Sequence, residues 1–299
     1  MKIGFVGLGK MGAKMTERLL RGGHEIAVYD KNSDGVKGME KIGAIATSSM
    51  EDLVKKLPDK KIIWLMVPSG KPIDESLETL LPLMDKGDII IDGGNSNWRE
   101  SQKRAAKTEE TGIFFIDCGT SGGVWGLENG YCLMYGGELE PVKTLEPIFK
   151  TLAPENGSIH CGPCGSGHFT KMVHNAIEYG MMQAYAEGFE LMQNSEFDFN
   201  LEGISKTWMH GSVIRSWLLE LAGNALSEDP KLDSIKDYVE DSGEGRWALQ
   251  SAIDFDTPVP VLAASLFTRF RSRQEETFSG KMLAALRQQF GGHSTKKNT

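Results

Sequence analysis

Lys171, Asn175 and Glu178 recur at i, i+4 and i+7 in a stretch that is otherwise apolar and rich in methionine. At about 100° per residue, that spacing puts all three on one face of a helix. His174 and Tyr179 flank the face. A base and an acid on a helix built for burial suit proton transfer, because burial and neighbouring groups tune their pKa values. A solvated face carrying an ordinary Lys–Glu pair fits the same spacing.

A second chemical signature lies at the N-terminus. Gly7-Leu8-Gly9-Lys10-Met11-Gly12 follows a strand-like run at once and opens a helix-like one, which Gly22-Gly23 ends. In that context the glycines permit a tight turn and close approach to a pyrophosphate. The helix start supplies unpaired N–H groups and a positive dipole end. Asp30 closes the next strand, about 20 residues on, where an acid holds the hydroxyls of an adenosine ribose. Val67, at the end of the strand-like run 62–67, is expected beside the same cofactor.

Cys161-Gly162-Pro163-Cys164, with His160 and His168 around it, has the outline of a redox pair or a zinc site. A redox CxxC opens a helix in a small βαβ unit, and structural zinc wants four well-spaced ligands. This segment instead sits in a glycine-rich connector, so it reads as a turn with two incidental thiols, and no metal is expected.

These residues need a scaffold. Apolar runs at residues 3–6, 26–29, 62–67, 89–92 and 113–117 alternate with helical patterns at 72–84 and 98–111, and a further strand is expected at 131–135. Ser48-Ser49-Met50-Glu51 has the form of a capping box. Such alternation implies a parallel sheet covered by helices on both faces. Beyond Gly165 almost everything has helical period, opening with a helix over residues 168–193, about 40 Å long at roughly 1.5 Å per residue. Later helices are expected at 212–226, 259–270 and 278–290. The expected architecture is an α/β Rossmann-type dinucleotide-binding domain, residues 1–165, followed by an all-α domain, 166–299, for substrate and oligomerisation.

The 299 residues suit two domains, and the net charge of −8 argues against nucleic acid or an anionic membrane as partner. No apolar run approaches the roughly 20 residues of a membrane span, and the first residues lack a signal-peptide pattern. A cytoplasmic protein is expected.

The stretch from Gly167 to Gly180 resembles the active-site helix of the 6-phosphogluconate dehydrogenases, within the β-hydroxyacid dehydrogenases. Ile91-Asp92-Gly93-Gly94-Asn95-Ser96, Ser121-Gly122-Gly123, Gly243-Glu244-Gly245-Arg246-Trp247, Arg269 and the tail from Arg287 through Phe290-Gly291-Gly292-His293 continue the resemblance in order. It implies Lys171 as general base and Glu178 as general acid. It implies that Asn95 touches both nicotinamide and substrate. Ser121, Gly122, Gly123, His174, Asn175 and Tyr179 would line the sugar acid, while Arg269, Arg287 and His293 would hold its anionic ends. The last two would reach in from a neighbouring subunit of a homo-oligomer, dimer or tetramer. The implied reaction is oxidative decarboxylation of 6-phosphogluconate to ribulose 5-phosphate and CO2, without a metal.

Three departures accompany the resemblance. The chain matches a short form of the family and lacks part of the helical domain of the long forms. Ser242 stands where long forms carry a phosphate-binding lysine, a role Arg246 or another base would have to fill. Asp30-Lys31-Asn32 replaces the arginine that long NADP-using members carry. NAD is therefore the expected cofactor, with NADP as the alternative. Rival readings are a 3-hydroxyisobutyrate or tartronate-semialdehyde type of dehydrogenase, and a non-catalytic NAD-binding regulator. Neither accounts for His174, Glu178, Tyr179 and the Phe-Gly-Gly-His tail together.

Overall fold

In this computed structural model, residues 1–296 are described. The strands β1 (Lys2–Val6), β2 (Glu25–Tyr29), β3 (Ile45–Ala46), β4 (Ile62–Leu65), β5 (Ile89–Asp92), β6 (Phe114–Ser121), β7 (Cys132–Gly136) and β8 (Ser158–Gly162) form one sheet in the order β3-β2-β1-β4-β5-β6-β7-β8. Neighbours are parallel from β3 to β6. β7 runs antiparallel to β6 and parallel to β8. The expected parallel sheet is found from β3 to β6, and the further strand at 131–135, β7, runs antiparallel to it for a steric reason. A parallel return needs a crossover of a dozen or more residues, and between β6 and β7 the chain makes only short turns at Gly123–Trp125 and Gly126–Asn129.

Strand alternation splits the core into two layers. Phe5, Trp64, Ile89 and Ile91 face one side, where Phe5 and Trp64 stack with centroids 6.1 Å apart. Val6, Ile63, Leu65 and Ile90 face the other. The covering helices are α1 (Lys10–Arg21), α2 (Ser33–Glu40), α3 (Met50–Lys55), α4 (Lys71–Leu80), α5 (Trp98–Glu109), the short α6 (Gly126–Asn129) and α7 (Leu139–Leu152). Ser49 caps α3, accepting from Asp52 N at 3.1 Å, and Asp52 rather than Glu51 returns the bond, accepting from Ser48 N at 2.9 Å.

The long helix α8 (Ser166–Gln193) starts two residues before the expected position, and α9 (Leu201–Trp208), α10 (Trp217–Glu228), α11 (Glu244–Asp254), α12 (Pro260–Ser272) and α13 (Phe278–Gly291) follow. α10 begins at Trp217 and not at 212, because Ser216 caps it through Leu219 N at 3.1 Å. The chain divides into two compact units, Met1–Asn175 and Ala176–Thr299, so the division falls inside α8. No helix among the described residues is long and apolar enough to cross a membrane.

Candidate active site

The glycine turn after β1 fits three separate requirements. Gly7 has φ +98°, and a Cβ there would lie 2.4 Å from the Met66 carbonyl oxygen. A Cβ on Gly12 would lie 2.0 Å from the Gly7 carbonyl oxygen, so helix and turn touch backbone to backbone. At Gly9 a Cβ would meet nothing within 4 Å, so this backbone faces open space. These are a tight turn, a close helix–strand contact and an open approach, the three uses of such glycines around a pyrophosphate. Gly9 caps α1 without a side-chain bond, and no acid lies in the first turn. The helix start is left to an anion.

A crevice of about 740 Å³ opens there, at the carboxyl ends of β1 and β4, where the strand order reverses. Gly7, Gly9, Lys10, Met11, Gly12, Asp30, Val67 and Asn95 all line it. Leu8 is not in the lining; its side chain is buried, and its N–H donates to Asp30 Oδ2 at 2.6 Å. Asn32 N donates to the other oxygen of Asp30 at 2.7 Å. The Asp30 carboxylate is thereby fixed in direction, with lone pairs left toward the crevice.

The far rim of the crevice is the turn after β5. Asp92 is fully buried; its Oδ1 accepts from Gly94 N at 3.0 Å and its Oδ2 from Ser96 Oγ at 2.8 Å. Between them Asn95 adopts φ +52°, the left-handed conformation that asparagine tolerates better than most L residues. Asn95 Oδ1 accepts from Thr120 N at 2.9 Å, and Nδ2 donates to Thr120 O at 3.2 Å. The amide thus pairs with the end of β6 as another strand would. One hydrogen on Nδ2 and one lone pair on Oδ1 remain unused.

The next residue on β6 is Ser121. Its Oγ lies 3.3 Å from His174 Nε2, while His174 Nδ1 lies 3.0 Å from Asn175 Oδ1 and 3.4 Å from Lys171 Nζ. One ring nitrogen cannot serve both neighbours. Either Nδ1–H donates to Asn175, or a bare Nδ1 accepts from Lys171. Lys171 itself is 5% exposed. Two glycines allow this approach of helix to sheet: a Cβ on Gly119 would lie 2.3 Å from Lys171 Cβ, and one on Gly167 would lie 2.6 Å from the carbonyl oxygens of Asp117 and Met134. Asp117, also fully buried, holds the start of α8, accepting from Gly165 N and His168 N at 2.7 Å each.

Sequence reasoning passed over Asp92, Asp117 and Thr120. The signal for the two acids was there: a carboxylate inside an apolar strand must find donors, since burying it unpaired is prohibitive. Thr120 contributes only its backbone, and no side-chain pattern announces that.

In the second unit, Tyr179 is 5% exposed and its hydroxyl accepts from Ser242 N at 3.1 Å. Ser242 Oγ in turn donates to the Glu244 carboxylate. A Cβ on Gly245 would lie 2.9 Å from the Tyr179 ring. The Arg269 guanidinium stands 3.4 Å from the centroid of that ring and donates to Glu240 O at 2.9 Å, partners that leave its charge in place. Arg246, by contrast, is bound to both oxygens of Asp241 at 2.9 and 3.0 Å, and Arg273 adds a bond of 2.9 Å. The Arg246 hydrogen bonds, with those of Arg273, hold the Asp241 carboxyl down at about 2. Arg246 is therefore committed within the protein. Arg287 lies inside α13, and His293 lies just beyond the left-handed Gly292 that ends it, so the tail bends at one residue.

Cys161 lies in β8, and Cys164 in the turn before α8. All four cysteines are free thiols, and burial pushes the thiols of Cys161 and Cys164 up, away from the reactive thiolate. Among the described residues no three His, Cys, Asp or Glu side chains gather as a metal site.

Taken together, a Rossmann sheet with its crevice at the switch point, followed by helices, defines a dinucleotide-dependent dehydrogenase architecture. Residues 2–164 match the model for the NAD binding domain of 6-phosphogluconate dehydrogenase, and residues 167–297 match that for the 6-phosphogluconate dehydrogenase C-terminal domain. The chain belongs to the 6-phosphogluconate dehydrogenase family. It is 43% identical over 299 residues to the NAD(+)-dependent, decarboxylating 6-phosphogluconate dehydrogenase of Haloferax volcanii, covering 99% of each chain. It is 46% identical over 297 residues to YqeC of Bacillus subtilis, a protein provisionally named as a 6-phosphogluconate dehydrogenase, covering 99% of this chain and all of that one. The structure of the Plasmodium falciparum 6-phosphogluconate dehydrogenase, studied apo, with NADP+ and with 6-phosphogluconate, superposes with a TM-score of 0.85 at 27% identity. That match covers 97% of this chain and 65% of the longer parasite chain.

Proposed function

We propose that the protein oxidises and decarboxylates 6-phosphogluconate to ribulose 5-phosphate and CO2, with NAD as preferred cofactor. The observation that carries this reading is the buried Lys171 beside His174, next to the Asn95 clamp on Thr120 and Ser121. Gly7, Gly9, Gly12 and Asp30 would hold NAD in the crevice, where its nicotinamide would supply the acceptor for the hydride leaving C3 of the substrate. Lys171 takes the proton of the C3 hydroxyl, with His174 and Asn175 setting its position. Once protonated, Lys171 donates to the C3 oxygen while the carboxylate leaves as CO2. Glu178, two turns further along α8, delivers a proton to C1 of the resulting enediol. Asn95 uses its remaining amide hydrogen and lone pair toward nicotinamide and substrate. Ser121, Gly122, Gly123, His174, Asn175 and Tyr179 line the sugar acid, and Arg269 meets an anionic end of it.

NAD is favoured because the fixed Asp30 carboxylate accepts from a ribose diol and repels a 2′-phosphate. NADP remains the weaker alternative. We also propose a homo-oligomer in which Arg287 and His293 of one copy complete the site of another. Every residue of α13 is exposed, including Phe278, Leu283 and Phe290, which suits a helix that packs on a second chain. The test is the purified protein with 6-phosphogluconate or a non-phosphorylated 3-hydroxy acid, and NAD or NADP, followed by absorbance of the reduced nicotinamide. Turnover of the non-phosphorylated acid alone would replace this reading by another hydroxyacid dehydrogenase. Cofactor binding without turnover of either acid would point to a non-catalytic protein.

A further inference from the structure

Arg104 lies on α5 and has no chemical role assigned above, yet its side chain is only 4% exposed. A guanidinium cannot shed its charge, so burying one requires strong partners. Arg104 has them on three segments. Nε donates to Asp74 Oδ1 at 2.7 Å on α4, and Nη2 donates to Gly70 O at 3.1 Å and Glu100 Oε2 at 3.1 Å. Nη1 stands 3.6 Å from Asp92 Oδ2, too far for a hydrogen bond but close enough to face the buried carboxylate with a positive charge.

Two of these segments are neighbouring stretches of the crevice rim, after the paired strands β4 and β5. Pro68 and Pro72, either side of Gly70, line it, as do Gly93, Gly94 and Asn95 after Asp92. The two stretches also touch: a Cβ on Gly94 would lie 2.6 Å from the Val67 carbonyl oxygen. Gly70 has φ +84°, a conformation that glycine adopts freely, and Asn95 has φ +52°, so both stretches turn sharply where they line the crevice. One turn earlier on α5, Ser101 Oγ lies 2.7 Å from Nδ1 of the buried His168, itself one turn before Lys171. α5 therefore grips both the Asn95 turn and the start of the helix that carries Lys171.

We infer that Arg104 is a positioning residue for hydride transfer: through Asp92 and Gly70 it ties the two stretches of rim together and sets the aim of the Asn95 amide. This rests on the reading of Asn95 and Lys171 given under Proposed function. Arg104 touches neither substrate nor cofactor, and small misplacements of reacting groups are costly because the geometry of attack is narrow.

The test compares wild type with Arg104→Lys, Asn95→Ala, their double variant, and Arg104→Met/Asp92→Asn, which removes both buried charges so that no buried carboxylate is left unpaired; Asp74 and Glu100 are half-exposed and keep their water. Thermal midpoint, NADH affinity, kcat, KM and the primary isotope effect with substrate deuterated at C3 are measured for each. The expectation for Arg104→Lys is a fall in kcat of about tenfold or more, with NADH affinity and KM each changed less than about threefold. The isotope effect should rise as hydride transfer becomes limiting. In the Asn95→Ala background the same substitution should add little, because its route is already cut. The doubly neutral variant should recover the thermal midpoint without recovering kcat. A lowered midpoint with unchanged kcat and isotope effect, or losses that multiply fully with Asn95→Ala, would overturn the inference and leave the proposed reaction standing. A wild-type protein that binds NADH but does not turn over 6-phosphogluconate would overturn the reaction itself, and the positioning role with it.

Discussion

The two compact units treat apolar surface in opposite ways. In Met1–Asn175 both core layers are closed, and the large apolar side chains left exposed are Met1, Ile42, Val124, Trp125, Leu139 and Ile159. In Ala176–Thr299 the exposed set is far larger, with Val213 at 100%, Phe290 at 78% and Phe278 at 77%. A doubly covered sheet satisfies its own hydrophobic demand, whereas a run of helices with apolar residues on several faces does not. The first unit therefore has the makings of a self-sufficient cofactor domain. The second has those of a structure finished by further contacts, as the proposed homo-oligomer requires.

If the first unit holds a complete base, the largest effect should follow from removing it. Lys171→Ala is expected to lower kcat by about 10³-fold or more while NADH affinity, read by fluorescence, stays near wild type. Near wild-type kcat would place the base elsewhere and leave the first unit as a cofactor domain only.

The second unit's dependence on another copy is tested by exchange. Arg287→Ala/His293→Ala is expected to cost about 10- to 100-fold in kcat/KM, the worth of one or two charged hydrogen bonds. Lys171→Ala subunits mixed with these tail variants and allowed to exchange should regain activity, because some sites then combine an intact core with an intact tail. Silence of every mixture would mean that tails act on their own chain.

A smaller effect concerns the crevice. Wild type should prefer NAD to NADP by about tenfold or more in kcat/KM, and Asp30→Ala should narrow that ratio. A wild-type preference for NADP would remove Asp30 from the ribose site and leave it a purely structural anchor of Leu8 and Asn32.

The smallest effect lies in the second unit's acid behaviour. Asp241 is held at about 2 when folded, below its ordinary 3.8. A depressed carboxyl stabilises the fold above the unfolded value, and the contribution disappears as pH falls through the folded one. Denaturation midpoints from pH 5 to 2 should thus decline most steeply below about pH 4. Arg246→Ala should make the decline smaller and complete it at higher pH, because the folded Asp241 carboxyl then lies closer to its unfolded value. An unchanged profile would show that Arg273 alone maintains the pair.

Much of this was readable before any coordinates. The glycine fingerprint, the acid at Asp30, the five parallel-type strands and the i, i+4, i+7 stripe of Lys171, Asn175 and Glu178 are local patterns. Local sterics and helical period write them directly into the order of residues. Other features had no such trace. β8 is partly exposed and follows a helix with Pro147 inside it, so neither showed a clean period. The antiparallel turn of β7 depended on what the short loop before it could not reach. Arg246 looked like a spare base for an anion until its neighbour Asp241 claimed it.

The sequence by itself determined the order of elements, the cofactor fingerprint and the helix that carries the ionisable residues, because these depend on neighbours a few positions away. Only the tertiary structure decided that Asn95 clamps the backbone of Thr120 and that Asp92 and Asp117 pin the turn and helix on either side. It alone decided that Arg104 joins two neighbouring stretches of one crevice rim. Those contacts join residues far apart along the chain. Which buried charge meets which donor is fixed by how helices settle on a twisted sheet, and no local pattern of residue types encodes that.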